Sequence, residues 1–208
     1  MTTNLRGGAR TFVIAVTCLL ALLTACGGGN KSAAPSGTSA PTPQAAGTVG
    51  PPAIIAGNVF TSIALGYRVT FPESWQPDEN FVVNPEFTLD AFLAPDDVNG
   101  VRPNITVRCD RTANLTPESF VAVKRQIADS FAAGEVTDAP TTVAGQAATR
   151  LQYEQRAGDK LVRKTETHFV ARRCGWSIQL TRGVNDSQFD ALFDRMLASF
   201  EFTNPNGG

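Results

Sequence analysis

The 208-residue chain has 42% hydrophobic residues, enough for a folded core, and its 18 basic and 19 acidic side chains leave a formal charge of -1. That balance excludes the basic stripe with which a protein holds nucleic acid. One histidine and four cysteines provide no set of ligands spaced for zinc.

Arg6 and Arg10 precede an apolar run over residues 12–23, and the small residues Thr24 and Ala25 follow. This is the three-part pattern of an export signal. A membrane-spanning helix needs about 20 apolar residues, so the run is too short for a permanent span. Leu23, Thr24, Ala25 and Cys26 resemble the bacterial lipobox. The resemblance implies cleavage after a signal peptide of residues 1–25 and acylation of the Cys26 thiol by fatty acids such as palmitate. The expected location is the extracytoplasmic face of the cell membrane, with lipid as the anchor; a plain signal cut nearby and an uncleaved anchor are the alternatives. Removing residues 1–25 takes away two arginines and no acid, leaving 16 basic against 19 acidic side chains.

Residues 26–53 read as the lipidated cysteine and a disordered tether. Between residues 27 and 52 the only charge is Lys31 and the only large apolar side chain is Val49. Such a segment buries too little to offset the entropy of ordering. Its mean span is about 28 Å. Residues 54–203 are expected to form one α+β domain and residues 204–208 a disordered tail.

Within the domain, residues 66–71 alternate Tyr67, Val69 and Phe71 with polar neighbours until Pro72 ends the strand, and Trp75 is expected to fold back on the core edge. Residues 87–93 place Phe87, Leu89, Ala91 and Leu93 on one face, with Phe92 disturbing the pattern. Residues 96–100 are turn chemistry. A strand over residues 104–109 then points Ile105, Val107 and Cys109 inward. Thr116, Pro117 and Glu118 announce a helix: threonine caps free amides, proline at the first position loses no hydrogen bond, and glutamate suits the dipole. Phe120, Val123, Ile127 and Phe131 form its expected buried face, and Gly134 its end.

Strands return at residues 142–143, 147–156 and 161–171, with a turn at Ala157, Gly158 and Asp159. Over residues 174–180, Cys174, Trp176, Ile178 and Leu180 alternate strictly with Gly175, Ser177 and Gln179, which predicts a central strand. A second helix, capped by Asn185 or Asp186, carries the stripe Phe189, Leu192, Phe193, Met196, Leu197 and Phe200. Residues 199–202 add a short last strand.

The run GYRVTFPESW, residues 66–75, and the element order after it resemble the PsbP-like bacterial lipoproteins, among them actinobacterial lipoproteins of the LpqN type. The resemblance implies a central, mainly antiparallel sheet flanked by two helices, no catalysis, and binding of a protein or lipid partner in the cell envelope. It carries over no binding residue.

No cofactor or metal is expected, and the catalytic inventory is thin. His168 stands alone in a strand, no GxSxG or HExxH occurs, and Glu154 and Glu166 lack a partner pattern. A solvent-facing or hydrogen-bonded histidine is the reading. With Cys18 in the signal and Cys26 lipidated, Cys109 and Cys174 remain as an even pair in an oxidising compartment, which predicts a disulfide. Three function classes follow: a non-enzymatic envelope lipoprotein that binds or scaffolds a protein partner, a carrier of envelope lipid or another small apolar ligand, and a hydrolase using His168. A deep apolar pocket favours the second; a serine within reach of His168 favours the third.

Overall fold

The computed structural model describes residues 53–78, 88–111 and 115–203. The signal segment, Cys26, residues 27–52 of the tether, Phe87 and the tail lie outside the described residues, and Ala53, expected as the end of the tether, opens the first strand. Eleven strands and two helices follow in order: β1 (Ala53–Ala56), β2 (Val59–Ser62), β3 (Tyr67–Thr70), β4 (Gln76–Pro77), β5 (Thr88–Leu93), β6 (Asn104–Asp110), α1 (Pro117–Phe131), β7 (Thr137–Val143), β8 (Gln146–Ala157), β9 (Lys160–Ala171), β10 (Cys174–Gly183), α2 (Gln188–Ala198) and β11 (Glu201–Phe202). The architecture is α+β. Two antiparallel sheets carry it, a four-stranded one ordered β1-β2-β3-β11 and a seven-stranded one ordered β4-β5-β6-β10-β9-β8-β7.

β10 is central in the larger sheet, as its alternation predicts. Its register opposes Trp176 to Cys109, Ile178 to Val107 and Leu180 to Ile105 on β6, and Trp176 to Phe169 on β9. This face meets Phe60, Tyr67 and Val69 of the small sheet and Phe193, Met196 and Leu197 of α2 in one buried core. Phe200 closes the gap between layers, stacked on Tyr67 at 4.9 Å and edge-on to Trp176 at 5.7 Å. Offset and edge-on aromatic contacts of this kind add about 0.5–1.5 kcal/mol each beyond the area they bury. The α2 stripe is thus core. Its cap is Ser187, whose side chain makes no capping bond, in place of Asn185 or Asp186. The chain enters this helix through a tight turn in which the Phe189 amide donates to the Asp186 carbonyl at 3.2 Å, so the turn geometry itself serves the first amides.

α1 covers the opposite face of the large sheet. Thr116 accepts from the Ser119 amide, Ser119 reciprocates, and Pro117 opens the helix. Its buried face differs from the expected one. Phe120 and Ala128 are buried, whereas Val123, Ile127 and Phe131 are 53%, 46% and 60% exposed. The surface beneath the helix is polar around His168 and apolar where Ala128 meets Val136, Leu151 and Tyr153, and it takes the line 120–124–128, with Lys124 paired to Asp110 at 2.6 Å. Apolar spacing marks a face without saying what lies under it. The helix also ends at Phe131, ahead of Gly134.

β5 shows a similar reversal. Phe92 is fully buried in the main core between Phe60 at 5.0 Å and Phe71 at 5.3 Å, and neighbouring Asp90 accepts from the Tyr67 hydroxyl at 2.7 Å. Leu89, Ala91 and Leu93 take the other face. A buried tyrosine–carboxylate bond selects the phase that apolar counting gets wrong. The strand expected at 142–143 extends over Thr137–Val143, an edge strand that admits Pro140. β1 and β2 were not expected; the domain begins with them.

Cys109 and Cys174 are joined, with 5.6 Å between α-carbons, and the bond ties β6 to β10 on the core side. Closing a loop across 65 residues restricts the unfolded chain. Replacing both cysteines by alanine is expected to lower unfolding free energy by about 2–5 kcal/mol. Denaturant titration of the two proteins checks this, and coincident curves would contradict it.

Candidate functional site

Two places merit comparison, a half-buried polar cluster beside α1 and an open groove at the end of β3. The cluster forms because the outward residues of β8, β9 and β10 are polar where they meet. The Nε2 of His168 lies 3.0 Å from Glu166 Oε2 and its Nδ1 lies 3.0 Å from Ser177 Oγ. Tyr153 donates to Glu166 Oε1 at 2.7 Å. With its amide turned to satisfy both sides, Gln179 donates to the same oxygen at 2.8 Å and accepts from Lys164 Nζ at 2.9 Å. Sequence reading places Glu166 and His168 on one strand face but misses the partners on neighbouring strands, Tyr153 on β8 and Ser177 and Gln179 on β10. Glu154, the other acid without an assigned partner, pairs with Arg163 at 3.2 Å.

Serine, histidine and carboxylate in one chain is the composition of a hydrolase triad, so geometry decides its meaning. His168 is 1% exposed, and the Phe120 ring lies edge-on to it at 5.9 Å. Gly175 makes that approach possible: a Cβ there would come within 2.5 Å of Phe120. Ser177 lies mid-strand and is paired on both sides, so its amide belongs to the ladder and no sharp turn presents the hydroxyl. The acid takes Nε2 and the serine Nδ1, the reverse of the protease triad.

The electrostatics are those of a paired structural cluster. Burial pushes the Glu166 carboxyl up, but His168, Tyr153 and Lys164 outweigh it and hold the group below its ordinary value. Burial lowers the Lys164 ammonium despite the opposing charge of Glu166. Burial, then Glu166, raises the Tyr153 phenol far beyond its usual range.

The groove is different in kind. β3 ends at Thr70, two residues before Pro72, the Trp75 amide donates back to the Pro72 carbonyl at 2.9 Å, and Trp75 is buried against Phe189 at 5.9 Å. That turn stands opposite the C-terminal half of α2. Ser199 fixes the junction, its hydroxyl accepting from the Thr70 amide at 2.9 Å and donating to the Met196 carbonyl at 2.8 Å. Between turn and helix lies an open concavity of about 820 Å³. Phe71 and Met196 form its floor, Leu192 and Pro72 its half-buried walls, and Glu73, Ser74 and Arg195 an exposed rim. Sequence reasoning singled out residues 66–75 and the α2 stripe but not that they face each other.

The described domain can now be placed among known folds. No family model matches the chain, and no curated protein matches it in sequence. The solution structure of cyanobacterial PsbP from Synechocystis superposes with a TM-score of 0.51 at 14% identity, covering 72% of this chain and 95% of that one. The fold is PsbP-like. LpqN of Mycobacterium tuberculosis, a protein involved in cell envelope biogenesis, gives 0.50 at 11% identity over 66% of this chain and 83% of its own. A protein from Bacteroides thetaiotaomicron gives 0.52 at 12% identity, with this chain spanning 51% of its length. At such identities the likeness is one of fold alone. The PsbP-like domain keeps its cysteine pair and both helices within that fold, while Cys26 lies outside the described residues. None of the described helices is long and apolar enough to cross a membrane.

Because the folded carboxyl of Glu166 is held below its unfolded value, its stabilising contribution is complete above about pH 4.3 and disappears as pH falls through the lower, folded value. Glu166→Gln should therefore cost about 1–3 kcal/mol near neutrality, where it breaks a buried cluster, and progressively less in acid. Melting of both proteins from pH 7 to pH 3 measures the gap. A gap that widens in acid would contradict the assignment.

Proposed function

We propose that the chain is a non-enzymatic, lipid-anchored binding protein of the cell envelope, held by acylated Cys26 at the extracytoplasmic face, whose groove receives a segment of a protein partner. The observation that carries this reading is the groove: open along its length, apolar at the floor and polar at the rim, it suits part of a larger molecule. The Ser177–His168–Glu166 cluster, with Ser177 held in the sheet ladder and the histidine nitrogens reversed from those of a hydrolase, supports binding over catalysis. The lipobox-like residues Leu23 to Cys26 support the anchor, and the likeness of fold to an envelope protein supports the compartment.

A second reading has one observation in its favour. The groove exceeds the roughly 300 Å³ at which small-molecule sites begin, so an acyl chain could lie on Phe71 and Met196. Both readings share the site and differ in what is caught there.

A photo-reactive phenylalanine analogue in place of Leu192, irradiated in intact cells, should give a discrete protein adduct, and the same probe at Ile127 on α1 should not. Lipid adducts alone would favour the carrier; no adduct at either site would remove the groove. Separately, Cys26→Ser should abolish fatty-acid labelling and release the protein from the membrane fraction, since acyl chains contribute about 0.8 kcal/mol per buried methylene. Retention of both label and location would overturn the anchor.

A further inference from the structure

We propose that the end of the domain at which the tether arrives is a docking face for the phosphate headgroups of an anionic bilayer, built from Arg111, Arg172 and Arg173 around an exposed Ile63. Ala53, the first described residue, pairs with Ser62, Ser62 with Tyr67, and Tyr67 with Phe202, so these four form a row across one end of the small sheet. Just beyond the row the turn between β2 and β3 carries Ile63, 53% exposed. At its far side the guanidinium of Arg172 lies 4.3 Å over the Phe202 ring.

Arg172 and Arg173 make up the two-residue turn between β9 and β10, and both adopt left-handed backbone, with φ of 53° and 57°. Turns of this type favour Asn-Gly, and a side-chain-bearing residue pays for positive φ in strain. Two arginines at such a tip sacrifice stability for charge at a fixed place. Arg111 joins them. The pairing of Asp110 with Gly175 sets the next residue beside Cys174, at the base of the same turn, and the Cys109–Cys174 bond pins it there.

No acid among the described residues neutralises these three. Asp110 is engaged with Arg108 and Lys124, and Glu201 with Arg68. Of the neighbouring stretches of sequence, residues 50–52, 112–114 and 204–208 contain no Asp or Glu, and residues 79–87, which lead into Thr88 opposite Cys109, hold two acids, Glu79 and Glu86. Each arginine at an anionic surface strengthens binding about fivefold, and three about a hundredfold, within roughly 10 Å at ordinary salt. Charge, an apolar tip and the tether's entry point coincide, which favours a bilayer over a soluble partner.

Orientation follows from this. The groove lies at the other end of the small sheet, where Asn58 of the β1–β2 turn and Thr70 at the close of β3 line it. Arginines toward the lipid leave the groove facing outward. The inference uses the anchored reading only for the tether's direction, and it is tested without the anchor.

The protein from residue 26 onward with Cys26→Ser, unlipidated, should sediment with phosphatidylcholine vesicles containing roughly one-third phosphatidylglycerol at low salt, and not with pure phosphatidylcholine. Arg172→Glu with Arg173→Glu should lower the partition coefficient by at least about tenfold. Arg156→Glu with Lys160→Glu, the same charge change at the opposite end of β9, should leave it within about twofold. Arg172→Asn with Arg173→Gly relieves the turn, so it should weaken vesicle binding while raising the melting temperature. Equal losses in the two glutamate pairs would reduce the effect to net charge and overturn the face. Unchanged binding by the Arg172 and Arg173 variants, or displacement by millimolar inorganic phosphate at constant ionic strength, would overturn it as well.

Discussion

Everything in the domain depends on β10 having no free side. It is hydrogen-bonded to β6 and β9 along both edges, with a layer packed on each face. Its odd and even residues therefore face two different interiors. Trp176, Ile178 and Leu180 meet aromatic rings from the small sheet and α2, and Ser177, Gln179 and Thr181 meet polar residues of β9 under α1. Burying polar groups costs free energy unless each finds a partner, which is why a histidine, a carboxylate, a lysine and a tyrosine converge there. The cluster resembles a reactive site because both obey the same rule of satisfied hydrogen bonds.

That rule also explains which features can be read from sequence. The alternation in β10, the Thr116–Pro117 helix start, the α2 stripe and the pairing of Cys109 with Cys174 each rest on local pattern or on counting. Register is not local. Whether Phe92 or Leu89 turns to the core depends on Tyr67 reaching Asp90, 23 residues away in sequence. The expected inner face of α1 failed for the same reason, since Val123, Ile127 and Phe131 have helical spacing but the sheet beneath offers Lys124 its ion pair with Asp110. β1 and β2 are four residues each, and short strands leave little period to detect. Glu166 shares a strand face with His168, but Ser177 was invisible because cross-strand neighbours are set by pairing, not by distance along the chain.

The proposed binding site sits where the rigid frame stops. The residues 71–75 turn is held by Trp75 against Phe189 and the α2 terminus by Ser199, so the groove between them is fixed by packing on both sides. The opposite end carries the arginines and the entry of the tether. One cationic end and one concave end are what the proposed position between a membrane and a partner requires.

The central claim is that the only serine, histidine and carboxylate joined in one chain among the described residues serve structure. Treating the native protein with a fluorophosphonate that labels activated serines, followed by peptide mass spectrometry, tests it most directly. The account predicts no adduct on Ser177 while the domain is folded. Stoichiometric labelling of Ser177, abolished by His168→Ala in a protein that still folds, would contradict it.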